Sequence, residues 1–305
     1  MNRTAWIARF VPSCEGRRVV ITGGNSGIGF ETAKVFVESG ARVTLACRSL
    51  QKGQAAADRL NSIGGAGRAS AAVLDLASLS SVRAFAGQLV AAGERIDLLI
   101  NNAGVMVPPL SRTAEGFELQ FGVNHLAHFA LTGLLVPLLR GTPGSRIVNV
   151  SSLAHRAGDM DFNDLNWERT PYRPWRAYGR SKLANLLFTF ELQRRLSADG
   201  ADMVCTASHP GWTATNLMRN AGFMRAAGHV LAMPPWKGAL PTVLAAVAPA
   251  TSAGRFFGPG GPGQINGFPR EVSCSARSRD EGIARELWSA SEGLTGVTFL
   301  SAVPR

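Results

Sequence analysis

The sequence predicts an α/β fold, a doubly wound parallel sheet with helices on both faces. Two observations lead there. Short apolar runs alternate with longer amphipathic stretches between about residues 18 and 210, and a cluster of glycines stands where the first run meets the first such stretch. Near-continuous apolar strands separated by helices must be buried on both faces, which is the situation of a parallel sheet between helix layers. At 305 residues the chain can bury roughly three-quarters of its extended surface. No repeat of solenoid or propeller length is visible, so one domain covering residues 1–305 is expected.

The strands are expected at Arg18–Thr22, Arg42–Ala46, Ser70–Leu74, Asp97–Ile100, Arg146–Val150 and Met203–Ala207, with helices at about 27–39, 51–62, 78–92, 117–139 and 178–198. Three segments depart from the alternation. Residues 153–177, rich in Asp, Arg, Pro and Trp, read as a long loop. Residues 211–250 follow the sixth strand and are expected to form a substrate lid beside a dinucleotide-binding core of residues 17–210, since ligands of such folds bind at the carboxyl ends of the strands. The Gly/Pro-rich stretch Gly254–Pro269 carries Phe256, Phe257 and Phe268 and reads equally as an irregular strand plus turn or as a surface loop.

Composition narrows the class. With 46% hydrophobic and 17% charged residues the chain is not intrinsically disordered. Its four cysteines are far apart and form no CxxC pair, the pattern of reduced thiols in the cytosol. The N-terminus lacks the unbroken apolar core of a secretory signal. Prolines and a lysine interrupt the most apolar stretch, Gly228–Ala250, short of a membrane span. A soluble, cytoplasmic protein is expected. The formal charge of +11 comes from 32 basic and 21 acidic residues. Its arginines are scattered except for Arg169, Arg173, Arg176 and Arg180, interleaved with Tyr172, Trp175 and Tyr178. That cluster reads as a solvated loop rather than a nucleic-acid groove, and no nucleic-acid partner is expected.

Three sets of residues carry chemistry. Thr22-Gly-Gly-Asn-Ser-Gly-Ile-Gly29 ends a strand and opens a helix. Glycines there allow a tight turn, the approach of backbone N–H groups to a pyrophosphate, and close packing of helix on strand. Tyr178 and Lys182 are four residues apart, on one helical face. A free phenol titrates near 10, and an adjacent ammonium together with an oxidised nicotinamide would lower it toward the range useful for proton transfer. The second strand ends in Ala46-Cys47-Arg48-Ser49. An acid there would grip ribose hydroxyls and repel a 2′-phosphate. Arg48 can instead pair with that phosphate through a charge-assisted fork, so NADP(H) is expected in preference to NAD(H). His125 and His128 are spaced HxxH, and His155 and His209 lie near strand ends, but no carboxylate completes a metal set, and no metal is expected.

The GxxxGxG spacing after Thr22 resembles the short-chain dehydrogenase/reductase family. So do Asn101-Asn-Ala-Gly104, Asn124 in Val123-Asn-His-Leu126, Ser151-Ser152, Tyr178-Gly-Arg-Ser-Lys182 and Pro210-Gly211, in the family's order over residues 17–215. Val150-Ser-Ser-Leu-Ala-His155, the 26 positions from Ser152 to Tyr178, and Ser181-Lys-Leu-Ala-Asn185 resemble its retinol dehydrogenase-like branch, which protochlorophyllide reductases share. The resemblance implies a Rossmann-type sheet and an NADP(H)-linked enzyme interconverting an apolar carbonyl and its alcohol. It implies that Tyr178 is the general acid/base and that Lys182 lowers its pKa and holds the nicotinamide ribose. Asn124 would hold a water in a relay ending at Lys182, and Ser152 would face the substrate oxygen, with Ser151 as the competing choice. The implied dinucleotide site comprises Gly23, Asn25, Ser26, Gly27, Ile28, Gly29, Arg48, Asp75, Leu76, Asn102, Ala103, Gly104, Tyr178, Lys182, Pro210, Gly211, Thr213 and Thr215, with Asp75 against the adenine.

The expected partner is a small-molecule carbonyl or alcohol; a homo-oligomer is left open. Residues 155–177 and 211–236 are expected to form an apolar lid through Phe162, Trp167, Tyr172 and Trp175 in one segment and Trp212, Leu217, Met218, Phe223, Met224 and Trp236 in the other, since small-molecule pockets are mostly apolar. The competing reading is a cofactor-binding sensor with weak turnover. The presence of Asn124, Ser152, Tyr178 and Lys182 together argues against it.

Overall fold

The computed structural model describes residues 1–64, 66–213 and 232–301. A single sheet of eight strands runs through them in the order β3-β2-β1-β4-β5-β6-β7-β8. The strands are β1 Arg18–Thr22, β2 Arg42–Cys47, β3 Arg68–Val73, β4 Leu98–Asn101, β5 Ser145–Val150, β6 Met203–Ser208, β7 Phe256–Pro259 and β8 Pro269–Glu271. All pairings from β3 across to β7 are parallel, and β8 alone runs antiparallel. The order reverses between β1 and β4, where a doubly wound sheet opens a crevice at the carboxyl ends of its strands.

Helices cover both faces. On one lie α1 Arg3–Phe10, α2 Gly27–Glu38, α3 Leu50–Asn61 and α7 Pro235–Val247; on the other lie α4 Leu79–Ala91, α5 Leu119–Arg140, α6 Pro174–Ala198 and α8 Glu281–Thr295. Each layer has its own core. Val19, Ile21, Phe36, Leu45, Leu60 and Ala245 pack together on the first side; Leu99, Phe129, Leu131, Leu135, Phe188 and Trp288 pack on the second. Strand residues alternate between the two cores, so both faces of β1 are apolar, as the unbroken run Val19-Val-Ile21 requires. Helix α5 is the one described helix long and apolar enough to cross a membrane, yet most of it is buried in this core, which is why it is apolar on every side.

All six expected strands and five expected helices are present, with ends displaced by a few residues. The largest displacement is at α6, which begins at Pro174 inside the segment expected to be loop. Proline suits the first helical turn because its missing N–H has no partner to lose there. Gly254–Pro269 resolves into β7 and a turn leading to β8. Helices α1, α7 and α8 were not anticipated. Asn2 caps α1 through the Ala5 N–H at 2.9 Å, and Asp280 caps α8 through the Ile283 N–H at 2.9 Å. Within residues 211–250, the stretch Pro235–Val247 is a scaffold helix whose Leu240 and Val243 are fully buried with Trp6.

The arginine-aromatic cluster turns partly inward. Arg180 is 3% exposed, donates to the Asp164 carbonyl at 2.6 Å and stacks over Trp167 at 4.7 Å. Arg176 pairs with Asp159.

Candidate active site

At the carboxyl ends of β1 and β4 the glycine turn and the Asn101–Gly104 turn face each other across a groove of about 270 Å³. Gly23, Asn25, Ser26, Gly27, Ile28, Gly29, Asn102, Ala103, Gly104, Tyr178, Lys182 and Pro210 line it. Twelve of the expected dinucleotide residues are thus brought together. The glycines are needed for the shape. Gly23 sits at φ +67°, and a Cβ on Gly29 would lie 2.5 Å from the Gly23 carbonyl oxygen and 2.6 Å from Asn102 Nδ2. Helix α2 starts here, and the side chain of its N-cap, Ser26, makes no capping hydrogen bond. The first-turn amides of α2 therefore face the groove without a side-chain acceptor, the arrangement that receives a phosphate. The groove fits a dinucleotide.

Thr22 Oγ1 organises the floor. It accepts the N–H groups of Asn102 and Ala103, both at 2.9 Å, and lies 2.9 Å from His128 Nε2. With two donors already on its oxygen, the hydroxyl gives its proton to Nε2. His128 Nδ1 then carries the ring proton and donates to the Asn124 carbonyl at 3.1 Å. Burial holds His128 near 4, so the ring is neutral. Residues Gly122–Leu126 form a π turn inside α5, which leaves the Asn124 backbone outside the regular α-helical ladder. Asn124 is fully buried; its Oδ1 accepts the Val105 N–H at 2.8 Å, and its Nδ2 donates to the Val105 carbonyl and to Ser181 Oγ, both at 3.0 Å. Its side chain is thereby engaged by the turn that ends the groove. Val105 was not singled out from the sequence; Thr22, Ser181 and His128 were named there only as parts of motifs, and these hydrogen-bonding roles were not anticipated.

Tyr178 and Lys182 lie on α6, one turn apart, both buried. Lys182 Nζ donates to the Val150 carbonyl at 3.1 Å and stands 5.7 Å from the centre of the Tyr178 ring. A Cβ on Gly104 would be 3.0 Å from Asn124 Oδ1 and 3.5 Å from Lys182 Nζ, so the two side chains converge on that glycine. Burial pushes Tyr178 up to about 12, against a downward pull from its hydrogen bond with Ser152, and pushes Lys182 down to about 8. In the protein by itself desolvation of the phenol outweighs the pull of the Ser152 hydrogen bond; the lowering expected from the sequence called for a bound oxidised nicotinamide as well.

The two serines separate cleanly. Ser151 is 2% exposed and donates to the Lys182 carbonyl at 2.7 Å, tying β5 to α6. Ser152 caps the short turn Leu153–Ala157 by accepting the Ala154 N–H at 3.2 Å, and opens onto a second cavity.

That second cavity, about 450 Å³, adjoins the groove and shares Tyr178, Ile28 and Pro210 with it. Its walls are largely apolar: Met106, Leu153, Ala154, Ala157, Trp175, Trp212 and Ile265, with Ser152, Arg176 and Thr213 as polar members. Of the expected lid side chains, Trp175 and Trp212 line it. The others that can be described pack elsewhere: Phe162 with Phe117 and Leu165, Trp167 against Tyr172 and Arg180, and Trp236 with Trp6. Leu217, Met218, Phe223 and Met224 lie outside the described residues, as does Thr215. Met106, Leu153 and Ile265 were not anticipated.

Five expected cofactor contacts, Arg48, Asp75, Leu76, Gly211 and Thr213, stand outside the groove, Gly211 and Thr213 lining the second cavity instead. Arg48, at the end of β2, is exposed and makes no ion pair among the described residues. Asp75 Oδ1 accepts the Ala77 N–H at 2.9 Å beyond β3, and Leu76 is buried in the core. Thr213 Oγ1 donates to the Pro210 carbonyl at 2.8 Å, fixing the turn after β6. His125 meets Ser291 Oγ at 2.9 Å, so the HxxH pair points to two different structural partners.

Comparison with known proteins agrees with this geometry. Short chain dehydrogenase sequences match residues 17–225. Retinol dehydrogenase 13 of Homo sapiens is 41% identical over 293 residues, spanning 92% of this chain and 85% of its own length. Retinol dehydrogenase 11 of Homo sapiens is 42% identical over 288 residues, covering 92% and 86%. The crystal structure of an uncharacterised protein from Mycobacterium paratuberculosis superposes with a TM-score of 0.82 at 43% identity, over 96% of this chain and 98% of that one. The Pseudomonas aeruginosa RhlG/NADP active-site complex gives a TM-score of 0.64 at 27% identity, over 80% and 94%. The match over more than half of the chain, together with relatives at 41–42% identity along nearly all of it, establishes that the chain belongs to the short chain dehydrogenase family of oxidoreductases, in its retinol dehydrogenase-like branch.

Proposed function

We propose that the protein is an NADP(H)-dependent oxidoreductase that interconverts bulky apolar carbonyls and their alcohols. One observation carries the reading. Among the described residues Tyr178 is the only ionisable side chain that lines both the glycine-walled groove and the apolar cavity, so a proton can be exchanged where the two ligands would meet.

The nicotinamide dinucleotide, when bound, supplies or accepts the hydride. The remaining tasks belong to the chain. The α2 amides and the glycine turn receive the pyrophosphate. Tyr178 Oη passes a proton to the substrate oxygen during reduction and recovers it during oxidation. Held up to about 12, the phenol is protonated across the neutral range, the form that reduction needs. Ser152 Oγ holds the same substrate oxygen. Lys182 Nζ, fixed by Val150, supplies the positive charge that eases proton loss from Tyr178 when an alcohol is oxidised, and it would hold the nicotinamide ribose of a bound dinucleotide. Asn124 is a positioning residue that braces the 103–105 turn beside Lys182.

Support for NADP(H) comes from the end of β2. Arg48 is exposed, and the first turn of α3 beside it carries no acid. A 2′-phosphate there meets a cation and a helix N-terminus with no repelling carboxylate in that turn. Support for an apolar substrate comes from the cavity walls and from the names of the relatives, which are retinol dehydrogenases.

The deciding experiment follows NADPH and NADH consumption across aldehydes and ketones graded by size and polarity. Fast NADPH-linked reduction of large apolar carbonyls is expected. Tight NADPH binding with no turnover of any carbonyl would mark the chain as a sensor instead, and a preference for small polar carbonyls would overturn the substrate class.

A further inference from the structure

The Gly/Pro-rich segment that follows β7 is fastened to both loops that flank the active site, and two buried histidines do the fastening. His209 stands at the end of β6, fully buried. Its Nδ1 lies 3.2 Å from the Gly211 N–H, which can only donate, so Nδ1 is the acceptor. The ring proton therefore sits on Nε2 and is given to Gln264 Oε1 at 3.1 Å. That orientation of the Gln264 amide is confirmed from its other end, where Nε2 donates to the Ser273 carbonyl at 3.1 Å and reaches Ser273 Oγ at 3.2 Å. Burial keeps His209 far below its ordinary value and hence neutral, as this pattern demands.

His155 repeats the arrangement on the β5 side. Its Nδ1 donates to the Ser152 carbonyl at 2.7 Å, and its Nε2 accepts the Ser275 N–H at 3.2 Å. Phe256 of β7 contacts both rings, at 5.6 Å from His155 and 5.1 Å from His209. The two imidazoles thus tie residues 264–275 to the backbone at Ser152 and Gly211.

Between these ties Ile265 reaches the apolar cavity. The Trp212 N–H donates to the Ile265 carbonyl at 2.9 Å, which brings the Ile265 side chain and the Trp212 indole to the same cavity. Gly211, at φ +66°, permits the contact: a Cβ there would lie 2.4 Å from the Ile265 oxygen. Gly263 and Gln264 both have φ near +60°, a conformation that a non-glycine residue such as Gln264 adopts only where the surroundings hold it. The His209 bond supplies such a hold.

We propose that residues 259–275 form the specificity wall of the substrate cavity, with Ile265 as the residue that limits substrate length and with His209 and His155 as positioning residues that fix the wall to the two active-site loops. This rests on the reading of the apolar cavity as the seat of the carbonyl substrate.

The test separates the two. Equilibrium binding of straight-chain primary alcohols of increasing length, in the presence of saturating NADPH, with which an alcohol cannot react, is measured by calorimetry, with turnover of the matching aldehydes measured in parallel. In the unaltered protein affinity should rise about fourfold per methylene and then level off. Ile265→Ala should move the levelling point outward by about two carbons, and Ile265→Trp should move it inward. Gln264→Leu, which cuts the hairpin from His209, should raise KM for the longest aldehydes about tenfold while lowering kcat far less. It should also speed exchange of the Trp212 amide. Gln264→Glu, whose carboxylate still accepts from His209 Nε2 but can no longer donate to the Ser273 carbonyl, should restore the KM in part. An unchanged levelling point in both Ile265 variants overturns the wall. A shifted levelling point with no effect of Gln264→Leu overturns the positioning role. Alcohol binding that responds to Ile265 without any aldehyde turnover overturns the oxidoreductase reading and leaves the wall standing; no alcohol binding at all overturns both.

Discussion

The two cavities that meet at Tyr178 are built in opposite ways. The dinucleotide groove is made of short contiguous motifs: residues 23–29 form one side and residues 102–104 most of the other. The substrate cavity collects single residues from distant places, among them Met106, Leu153, Trp175, Trp212 and Ile265. The groove works through backbone, with glycines clearing space and uncapped amides facing inward. The cavity works through side chains held by tertiary hydrogen bonds. A ligand shared by many enzymes can be met by a fixed local turn, whereas one particular to this enzyme needs a surface assembled from loops, where the same fold can be varied without disturbing the sheet.

Removing the single proton donor at the junction gives the largest effect expected. Tyr178→Phe keeps the ring and its T-shaped contact with Trp175 at 6.3 Å but deletes the transferable proton. Turnover should fall by about 10² to 10⁴-fold, while NADPH affinity, measured by fluorescence titration, stays within a few-fold. Retention of a third of the activity would place the acid elsewhere, and the two cavities would no longer meet at one group.

A change confined to the groove should separate the two cavities. Gly29→Ala puts a methyl within 2.6 Å of Gly23 O and Asn102 Nδ2, so the turn must move. Dinucleotide affinity should drop by about a hundredfold, equivalent to about 3 kcal/mol. Binding of an alcohol in the apolar cavity, measured by calorimetry on the dinucleotide-free protein, should change little. Equal losses in both would show that the cavities form as one unit.

Arg48→Asp acts at the outer end of the groove. Exchanging the charge-assisted partner for a carboxylate should reverse the ratio of NADPH to NADH affinity, by about 10- to 100-fold. An unaltered ratio would remove Arg48 from the site.

The contrast in construction also decides what was legible in the sequence. Thr22–Gly29, Asn101–Gly104 and the Tyr178–Lys182 pair are local, and their spacing alone placed them on a turn, a strand end and one helix face. Most strand boundaries followed from apolar runs for the same reason. Two of the three unanticipated helices had local signals that went unread: Asn2 and Asp280 are the N-caps of α1 and α8, and Gly296, at φ +63°, ends α8. Tertiary facts were out of reach. That Ser152 and not Ser151 opens onto the cavity depends on which hydroxyl finds the Lys182 carbonyl, across 31 residues of chain. Aromatic content alone could not tell Trp175 and Trp212, which face the cavity, from Trp167 and Trp236, which pack on the scaffold. The roles of His128, His155 and His209 lie in bonds to residues far along the chain, and only coordinates pair them.

The smallest effect tests whether the groove really leaves its donors unspent. The three helices that follow β1, β2 and β3 each begin at a serine. Ser49 caps α3 through the Lys52 N–H at 3.3 Å, and Ser78 caps α4 through the Ser81 N–H at 3.4 Å. Ser26 stands at the same position of α2 and makes no such bond. Loss of a working serine cap costs about 1 kcal/mol. Ser78→Ala should therefore lower the stability measured by urea unfolding by about that amount, with NADPH affinity unaltered. Ser26→Ala removes no bond from the folded chain, and its stability should stay within about 0.5 kcal/mol of the parent. Its cost should appear in the ligand instead: the exposed hydroxyl beside the α2 amides is free to reach a phosphate oxygen, and its loss should weaken NADPH binding about fivefold, or about 1 kcal/mol. If Ser26→Ala destabilises the protein as much as Ser78→Ala does, and binds NADPH as tightly as the parent, then Ser26 is an ordinary cap and the groove's open amides are not reserved for an anion.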